Sequence, residues 1–330
     1  MPHRVRIEPS GHEFEVVGGD TLLEGALRAG LAVDYGCNNG ICGRCRARLI
    51  SGEVHRIRHH DYAFGEAEAL AGAILTCSTT PLGDVVIEAG EIESAGQLPH
   101  QEVTAQLQEV RPLGESLAAV SLRPPRSQRL RFLAGQRATL RVADLPPLEL
   151  AIASCPCEEM RLEFHVPRLS DAPLTSALLD GGLRRFTPIT VAGPHGDFVL
   201  DRNVDRPLVF VAIGTGFAPV RSLVEHALAL EEAPRIHLER LTTPPHGAYL
   251  DNLCRSWADA LDDFGYRVSV HPTEPGVYAH YLDELAGARI APGATVYVAG
   301  PRSLAEPLAT ELEARLPSVS IRLETVGCPA

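Results

Sequence analysis

Tyr35-Gly36-Cys37-Asn38-Asn39-Gly40-Ile41-Cys42-Gly43-Arg44-Cys45 is the stretch whose reading decides the fold, taken together with a fourth thiol at Cys77. Cys37, Cys42 and Cys45 stand in a C-x4-C-x2-C spacing. Three clustered thiolates with a distant fourth are a ligand set for a [2Fe–2S] cluster, two sulfurs to each iron. A loop that turns three sulfurs onto one small cluster needs positions that tolerate positive φ, and Gly36, Gly40 and Gly43 are read as those positions. The same loop aims backbone N–H groups at the sulfurs, which helps set the reduction potential. A structural zinc site has a different pattern, two short Cys/His pairs. Inert buried cysteines would not cluster in this way.

The composition is that of a globular chain with room for two or three cores: 330 residues, 45% apolar and 22% charged. No apolar run reaches 18 residues, so no membrane-spanning helix is expected. The start, MPHRVRIEP, has no apolar signal core, which points to the cytoplasm. Eight cysteines in such a compartment argue for a metal centre over disulfides. Cys155, Cys157, Cys254 and Cys328 follow no ligand spacing and are read as free thiols. With net charge −12 and no basic stripe, direct nucleic-acid binding is not expected. An acidic surface suits docking to a basic face of a protein partner.

Along residues 1–92 the pattern is two alternating strands (5–7 and 14–17), a helix over 21–29 with Asp20 as N-cap and Gly30 after it, and the cysteine loop. A strand at 46–50, a short helix at 67–72 and a closing strand at 85–88 follow. This small mixed sheet with one helix and a metal loop resembles the β-grasp fold of plant-type ferredoxins. Residues 89–100 are polar and without period, a linker. Residues 101–203 carry short strands at regular spacing with Pro and Gly between them, an antiparallel β-barrel signature, plus one short helix near 175–179. From 204 to 330 the pattern changes to buried strands (207–213, 236–241, 266–270, 295–299, 320–324) alternating with helices (220–230, 249–261, 304–316). That alternation implies a doubly wound parallel sheet.

The first turn of that sheet is the informative one. Leu208-Val209-Phe210-Val211-Ala212-Ile213 runs into Gly214-Thr215-Gly216-Phe217-Ala218-Pro219 and a helix. Strand, glycine turn and helix N-terminus together present bare N–H groups and a helix dipole to a phosphate.

Order and motifs resemble, over essentially the whole chain, the ferredoxin–NAD(P)H reductases that feed electrons to bacterial ring-hydroxylating oxygenases. GPHGDF (193–198), AYLDNL (248–253), AGP (299–301) and LET (323–325) are further likenesses. The resemblance implies FAD between barrel and dinucleotide domain. It further implies hydride transfer from NAD(P)H to the flavin, with single electrons passing to the cluster and on to a ferredoxin or oxygenase. By position it places flavin contacts at Ile152, Ala153, Ser154, Leu174, Thr175 and Ser176, and nucleotide-side contacts at Gly214, Thr215, Gly216 and Pro219. Cluster ligation falls to Cys37, Cys42, Cys45 and Cys77. Thr175 and Ser176 are taken, by family position, as a phosphate site at a helix N-terminus, with a plain N-cap as the alternative. His195 reads as a surface turn residue, and the adjacent His59-His60 share no regular ligand spacing.

The chain departs from the family pattern where flavin and nicotinamide meet. Leu148 replaces the flavin-phosphate arginine, Leu150 the tyrosine that stacks on the ring, and Ala151 the hydroxyl near its N5. Pro173 replaces a glycine, Ala299 the nicotinamide-side cysteine and Val326 the last aromatic, while Leu241-Thr242-Thr243 lacks the glycine and arginine of the adenosine end. A lost arginine–phosphate contact costs on the order of 1.5–3 kcal/mol and a lost stacking ring about 0.5–1.5 kcal/mol. A misplaced reacting centre costs ~10²-fold in rate. The expectation is therefore FAD retained and NAD(P)H turnover poor or absent. On the resemblance, that describes a regulatory family member in an aromatic-degradation system. It would take an electron from a ferredoxin and signal its redox state to a protein such as a transcriptional activator. A working NAD(P)H-dependent oxygenase reductase is the alternative.

Overall fold

The computed structural model describes residues 2–36, 39–92, 95–125, 128–158, 160–201, 206–230, 233–242, 247–270, 275–288 and 290–327. Strands β1 (His3–Glu8) and β2 (Glu13–Val16) pair antiparallel, with Val5 opposite Phe14. Their alternation buries Val5, Ile7, Phe14 and Val16 against α1 (Leu22–Arg28). Thr21, rather than the expected Asp20, caps this helix: Glu24 N–H donates to Thr21 Oγ1 and Thr21 N–H to the Glu24 carboxylate. Such a reciprocal cap is worth about 1 kcal/mol and sets where the helix begins. Leu22 and Leu23 are fully buried beneath it, each contributing roughly 1.5–3 kcal/mol.

After the cysteine loop come β3 (Arg46–Ser51), β4 (Val54–Arg56), α2 (Glu66–Leu70), β5 (Ala73–Leu75), β6 (Thr79–Pro81) and β7 (Val85–Ala89). The sheet order is β2-β1-β7-β3-β5, with β4 and β6 paired apart from it. So β7 does not close the sheet at its edge. It lies in the centre, parallel to β1 and antiparallel to β3, buried through Val85 and Ile87. The expected linker is tied down at its start, where Glu91 bridges Val33 and Ile92 N–H donates to Ala32.

The second sheet comprises β8 (Gln101–Gly114), β9 (Leu117–Arg123), β10 (Arg137–Arg141), β11 (Leu148–Ala151), β12 (Leu162–Pro167) and β13 (Pro188–His195), with α3 (Pro173–Leu179) after β12. Its order is β11-β10-β13-β8-β9-β12, all antiparallel, and a bridge from Ile152 to Phe164 joins the two end strands into a barrel. Closure removes the sheet's edges. Leu162, Phe164 and Val166 of β12 point into the barrel core. Period 2 therefore sends Glu163 and His165 outward, where the third domain covers them.

That domain runs β14 (Leu208–Ile213), α4 (Phe217–Leu230), β15 (Ile236–Thr242), α5 (Asp251–Ala260), β16 (Phe264–Val270), α6 (Pro275–Ala288), β17 (Thr295–Gly300), α7 (Arg302–Arg315) and β18 (Ser320–Thr325). All five strands are parallel in the order β16-β15-β14-β17-β18, a doubly wound sheet whose order reverses beside β14. Every residue of β14 and β17 is buried. Helix α6 has no counterpart in the sequence reading; it begins with a proline, which is compatible with a first helical turn. Leu250 takes a left-handed conformation (φ 58°), so α5 starts two residues later than expected.

The thiols are also placed differently from expectation. Cys155 and Cys157 form a disulfide, because the Pro156 turn brings their Cα atoms to 5.2 Å, within bridging reach. Cys254 is a free, buried thiol, and Cys328 lies outside the described residues. The ferredoxin-like part docks on the rest through Asp34 paired with the buried Arg131 and through Gly30 against Leu230. Among the described residues no helix is long and apolar enough to cross a membrane.

Candidate metal centre and interdomain cavity

Cys45 immediately precedes β3 and Cys77 follows β5, adjacent antiparallel strands, so the ladder itself brings the two thiols together. Their sulfurs are 3.2 Å apart and both are buried. Thr76 fastens the pair, donating from its backbone N–H and its hydroxyl to the Cys45 carbonyl. The contact with the Cys77 sulfur lowers the Cys45 thiol to about 7 despite burial, toward the thiolate a metal requires. Cys42 lies on the exposed rim of the loop, and Cys37 lies outside the described residues.

The loop's glycines are needed, for two different reasons. Gly40 and Gly43 take φ of +77° and +68°, as expected, and a Cβ on Gly43 would stand 2.1 Å from the Tyr62 ring. Gly36 is not in the positive-φ region; a Cβ there would lie 2.9 Å from the Cys42 sulfur, so close approach is what it provides. Among the described residues no group of three His, Cys, Asp or Glu is placed to hold a metal. The donor chemistry, the buried Cys45 and Cys77 thiols beside the loop that carries Cys42, fits a thiolate-bound cluster once Cys37 is counted.

A second site lies between the barrel and the dinucleotide-type domain, a cavity of about 310 Å³. Arg137 (β10), Glu149, Leu150 and Ala151 (β11) and His165 (β12) line one side. Thr215 of the glycine turn, Ala218 of α4, Arg302 of α7 and Thr325-Val326 after β18 line the other. The turn sits at the reversal of strand order, where α/β sheets bind ligands. Its Gly216 is obligatory, because a Cβ would fall 2.1 Å from the Ala299 carbonyl oxygen. On the barrel side, Arg137 reaches Glu149 at 2.9 Å and Glu324 at 3.2 Å. The second contact is an ion pair misaligned for a hydrogen bond, leaving Arg137 Nε and Glu324 Oε1 buried without hydrogen-bond partners. Burial, with the Glu149 charge adding to it, pushes the Glu324 carboxyl up to about 7 against the pull of Arg137.

Beside the cavity the outward face of β12 meets α4 in a buried polar network. Glu163, fully buried, pairs with Arg221 of α4 and with Arg161, and lies 3.4 Å from His165 Nε2. His165 Nδ1 is 3.1 Å from the Tyr249 hydroxyl, and the Arg240 guanidinium sits 3.7 Å over the Phe217 ring. Burial alone would raise Glu163, but the His165 contact and the charges of Arg221 and Arg161 bring it down to about 2. Burial brings His165 down to about 4, so it is neutral at pH 7.

The expected cofactor contacts divide into two groups. Thr215 lines the cavity, and Gly214, Gly216 and Pro219 lie buried in the turn and first turn of α4 behind it. By contrast Ile152 and Leu174 are barrel-core residues, as is Leu148. Ala153 packs on Ala151 and Ala218. Ser154 is buried, its hydroxyl donating to the Arg161 carbonyl and accepting from Glu163 N–H. Thr175 is buried inside α3 and its hydroxyl donates to the Leu169 and Ala172 carbonyls, so it is not an N-cap; Ala172 stands at the cap without a side-chain hydrogen bond. Ser176 is half-buried on α3. His195 is half-buried beside Thr139, not an exposed turn residue, and His60 packs against Gly40. Sequence reasoning missed Arg137, Glu163, His165 and Arg221. The visible signal was charge inside apolar strands and an Arg221/Glu225 pair four residues apart on a buried helix.

Arg137 and Glu149 beside Leu150, Ala151 and Val326 give the cavity a wall with apolar and polar parts, which fits a flat ring with a polar edge. Residues 5–82 match the family model of the 2Fe-2S iron-sulfur cluster binding domain. The CDP-6-deoxy-L-threo-D-glycero-4-hexulose-3-dehydrase reductase of Yersinia pestis is 30% identical over 258 residues, 78% of this chain and 77% of the relative. The propane 2-monooxygenase reductase component of Rhodococcus jostii is 26% identical over 326 residues, 94% and 88% of the two chains. The crystal structure of an Amycolatopsis cytochrome P450 reductase superposes with TM-score 0.59 at 24% identity, covering 98% of this chain and 99% of that one. A cluster-binding ferredoxin domain, a closed barrel and a doubly wound sheet on one polypeptide, with a relative of this identity and coverage, make the chain a member of the ferredoxin-domain reductase family that includes the reductase components of oxygenases.

Proposed function

We propose that this chain is an electron-transfer reductase. It would take hydride from NAD(P)H onto FAD held in the interdomain cavity, and pass single electrons through a [2Fe–2S] cluster to a ferredoxin or oxygenase partner. The observation that carries the reading is the buried Cys45–Cys77 sulfur pair in the same chain as a cavity at the sheet's reversal point. Cys37, Cys42, Cys45 and Cys77 would hold the cluster. FAD would supply the conversion of a two-electron donor into one-electron steps. The chain's own contribution is positional. Thr215 and the N-terminus of α4 offer donors to an anionic group, and Leu150, Ala151 and Val326 exclude water.

A second reading, an electron-accepting redox sensor that signals to a transcriptional activator, is favoured by one observation. The positions that hold flavin and face hydride chemistry in the family are hydrocarbon here: Leu148 is in the barrel core, Val326 packs on the cluster of Ala151, Ala153 and Ala218, and Ala299 is wholly buried. Anaerobic titration with NADH and NADPH, after the extracted flavin is counted, separates the two. Bleaching of flavin and cluster by either nucleotide supports the reductase. Reduction only by dithionite or a reduced ferredoxin overturns it in favour of the sensor.

A further inference from the structure

Cys155 and Cys157 close a ring around a single intervening residue, Pro156, on the turn between β11 and β12. That turn stands where all three folding units meet. Pro156 and Cys157 line a small cavity with Leu31 and Tyr35 of the ferredoxin-like part, Phe132 of the barrel and His226 of α4. On the outer side Cys157 opens onto a groove that it shares with Leu27 and Arg28 of α1 and with Met160. We propose that this disulfide is a redox site reduced by a dithiol, with Cys157 as the sulfur attacked and Cys155 as the sulfur released. The proposal is independent of what the interdomain cavity holds.

Three observations support it. Access is one-sided: Cys155 is 1% exposed, whereas Cys157 is half-buried at the groove. Exchange depends on which sulfur a thiolate can reach, and here that is Cys157. The released sulfur is also supported. Cys157 N–H donates to Cys155 Sγ at 3.3 Å, and His226 Nδ1 lies 3.9 Å from the same atom. Hydrogen bonds to sulfur favour the thiolate, and a more stable thiolate leaves faster. Finally, the bond is not what holds the turn. A disulfide constrains the unfolded chain less as its loop shortens, and this loop holds one residue. The turn keeps its own ties, from Glu158 N–H to the Cys155 carbonyl and from Arg161 N–H to the Glu158 carbonyl.

The exchange balances in two steps. One thiolate of the dithiol attacks Cys157 Sγ and forms a mixed disulfide. The Cys155–Cys157 bond breaks, and its electron pair leaves on Cys155, which takes up a proton. The second thiolate then attacks the reagent's own sulfur in the mixed disulfide, and the electron pair leaves on Cys157, which is protonated in turn. Two electrons and two protons have passed from the dithiol, now a disulfide, to the protein. A bond that served only as a structural staple would resist reduction until the fold opened.

The test uses the full-length protein carrying its cluster, handled anaerobically. Wild type is treated with dithiothreitol and alkylated, and peptide mass spectrometry counts the thiols at Cys155 and Cys157. Circular dichroism monitors the fold. Both thiols are expected to appear with the fold intact, and glutathione disulfide is expected to restore the bond. Cys155→Ser and Cys157→Ser each leave one thiol of the pair. Glutathione disulfide is expected to trap Cys157 on the order of tenfold faster than Cys155. Reduction of the wild type only in denaturant overturns the proposal in favour of a staple. Thiols at both positions that glutathione disulfide does not join also overturn it, and the wild-type arm depends on no variant. Trapping of Cys155 as fast as Cys157 overturns the assignment of attacked and released sulfur.

Discussion

Arg221→Met isolates one of the buried contacts that hold the barrel to the dinucleotide-type domain. Arg221 is 7% exposed and Glu163 is fully buried, so the substitution strips a desolvated carboxylate of its buried counter-charge. Breaking such a pair by removing one partner costs about 3–5 kcal/mol, because the remaining charge is stranded. Glu163 keeps Arg161, but that side chain is 43% exposed and its charge is screened by solvent. The Glu225 carboxylate also loses its partner. We therefore expect a loss near the low end, about 3 kcal/mol at pH 7, or a melting-point fall of roughly 6–12 °C for a module of this size. Urea unfolding followed by far-UV circular dichroism and differential scanning fluorimetry measure it. In the double variant Arg221→Met/Glu163→Gln the stranded charge is gone, and more than half of the loss is expected to return. A single variant within about 1 kcal/mol of wild type, or a double variant no better than the single, would refute the reasoning.

Two further predictions concern the cluster loop and acid stability. Gly43→Ala places a Cβ at φ +68° and 2.1 Å from the Tyr62 ring, a left-handed penalty of about 1–2 kcal/mol plus overpacking of about 1–3 kcal/mol. We expect loss of cluster absorbance and a lower melting point; full cluster occupancy with unchanged melting would show that the loop relaxes freely. His165 is held near 4 when folded against an ordinary value of 6.5, so only the unfolded chain binds its proton between those values. Stability is therefore lost as pH falls from about 6.5 to about 4. The Glu163 contribution, present above about 4.5, is lost below that as pH approaches 2. His165→Gln, which does not titrate, should lose less stability than wild type between pH 7 and 4.5 in urea unfolding; equal losses would assign the effect to other groups.

The parts legible in the sequence are those encoded over short distances. C-x4-C-x2-C states its chemistry because three of the four expected ligands come from one loop, and the buried run of residues 208–213 before Gly214 states a parallel strand because both faces must be apolar. The helix start was misplaced by one residue, since Asp20 and Thr21 are both good caps and only the reach of Glu24 back to Thr21 decides between them. The central place of β7, the Cys155–Cys157 bridge and helix α6 depend on what packs where, and local propensity is silent on each.

The sequence by itself therefore determined the cluster loop, the order of three folding units and the glycine turn at the start of the last sheet. Tertiary structure alone decided the cavity's electrostatics. Arg137, Glu149 and Glu324 come from three strands in two domains, and Glu163, His165 and Arg221 meet only because the outer face of β12 is covered by α4. The physical reason is that a charge in an exposed strand is solvated and carries little information. The same charge becomes decisive when a distant element removes its water, and no local pattern in the chain records which element that is.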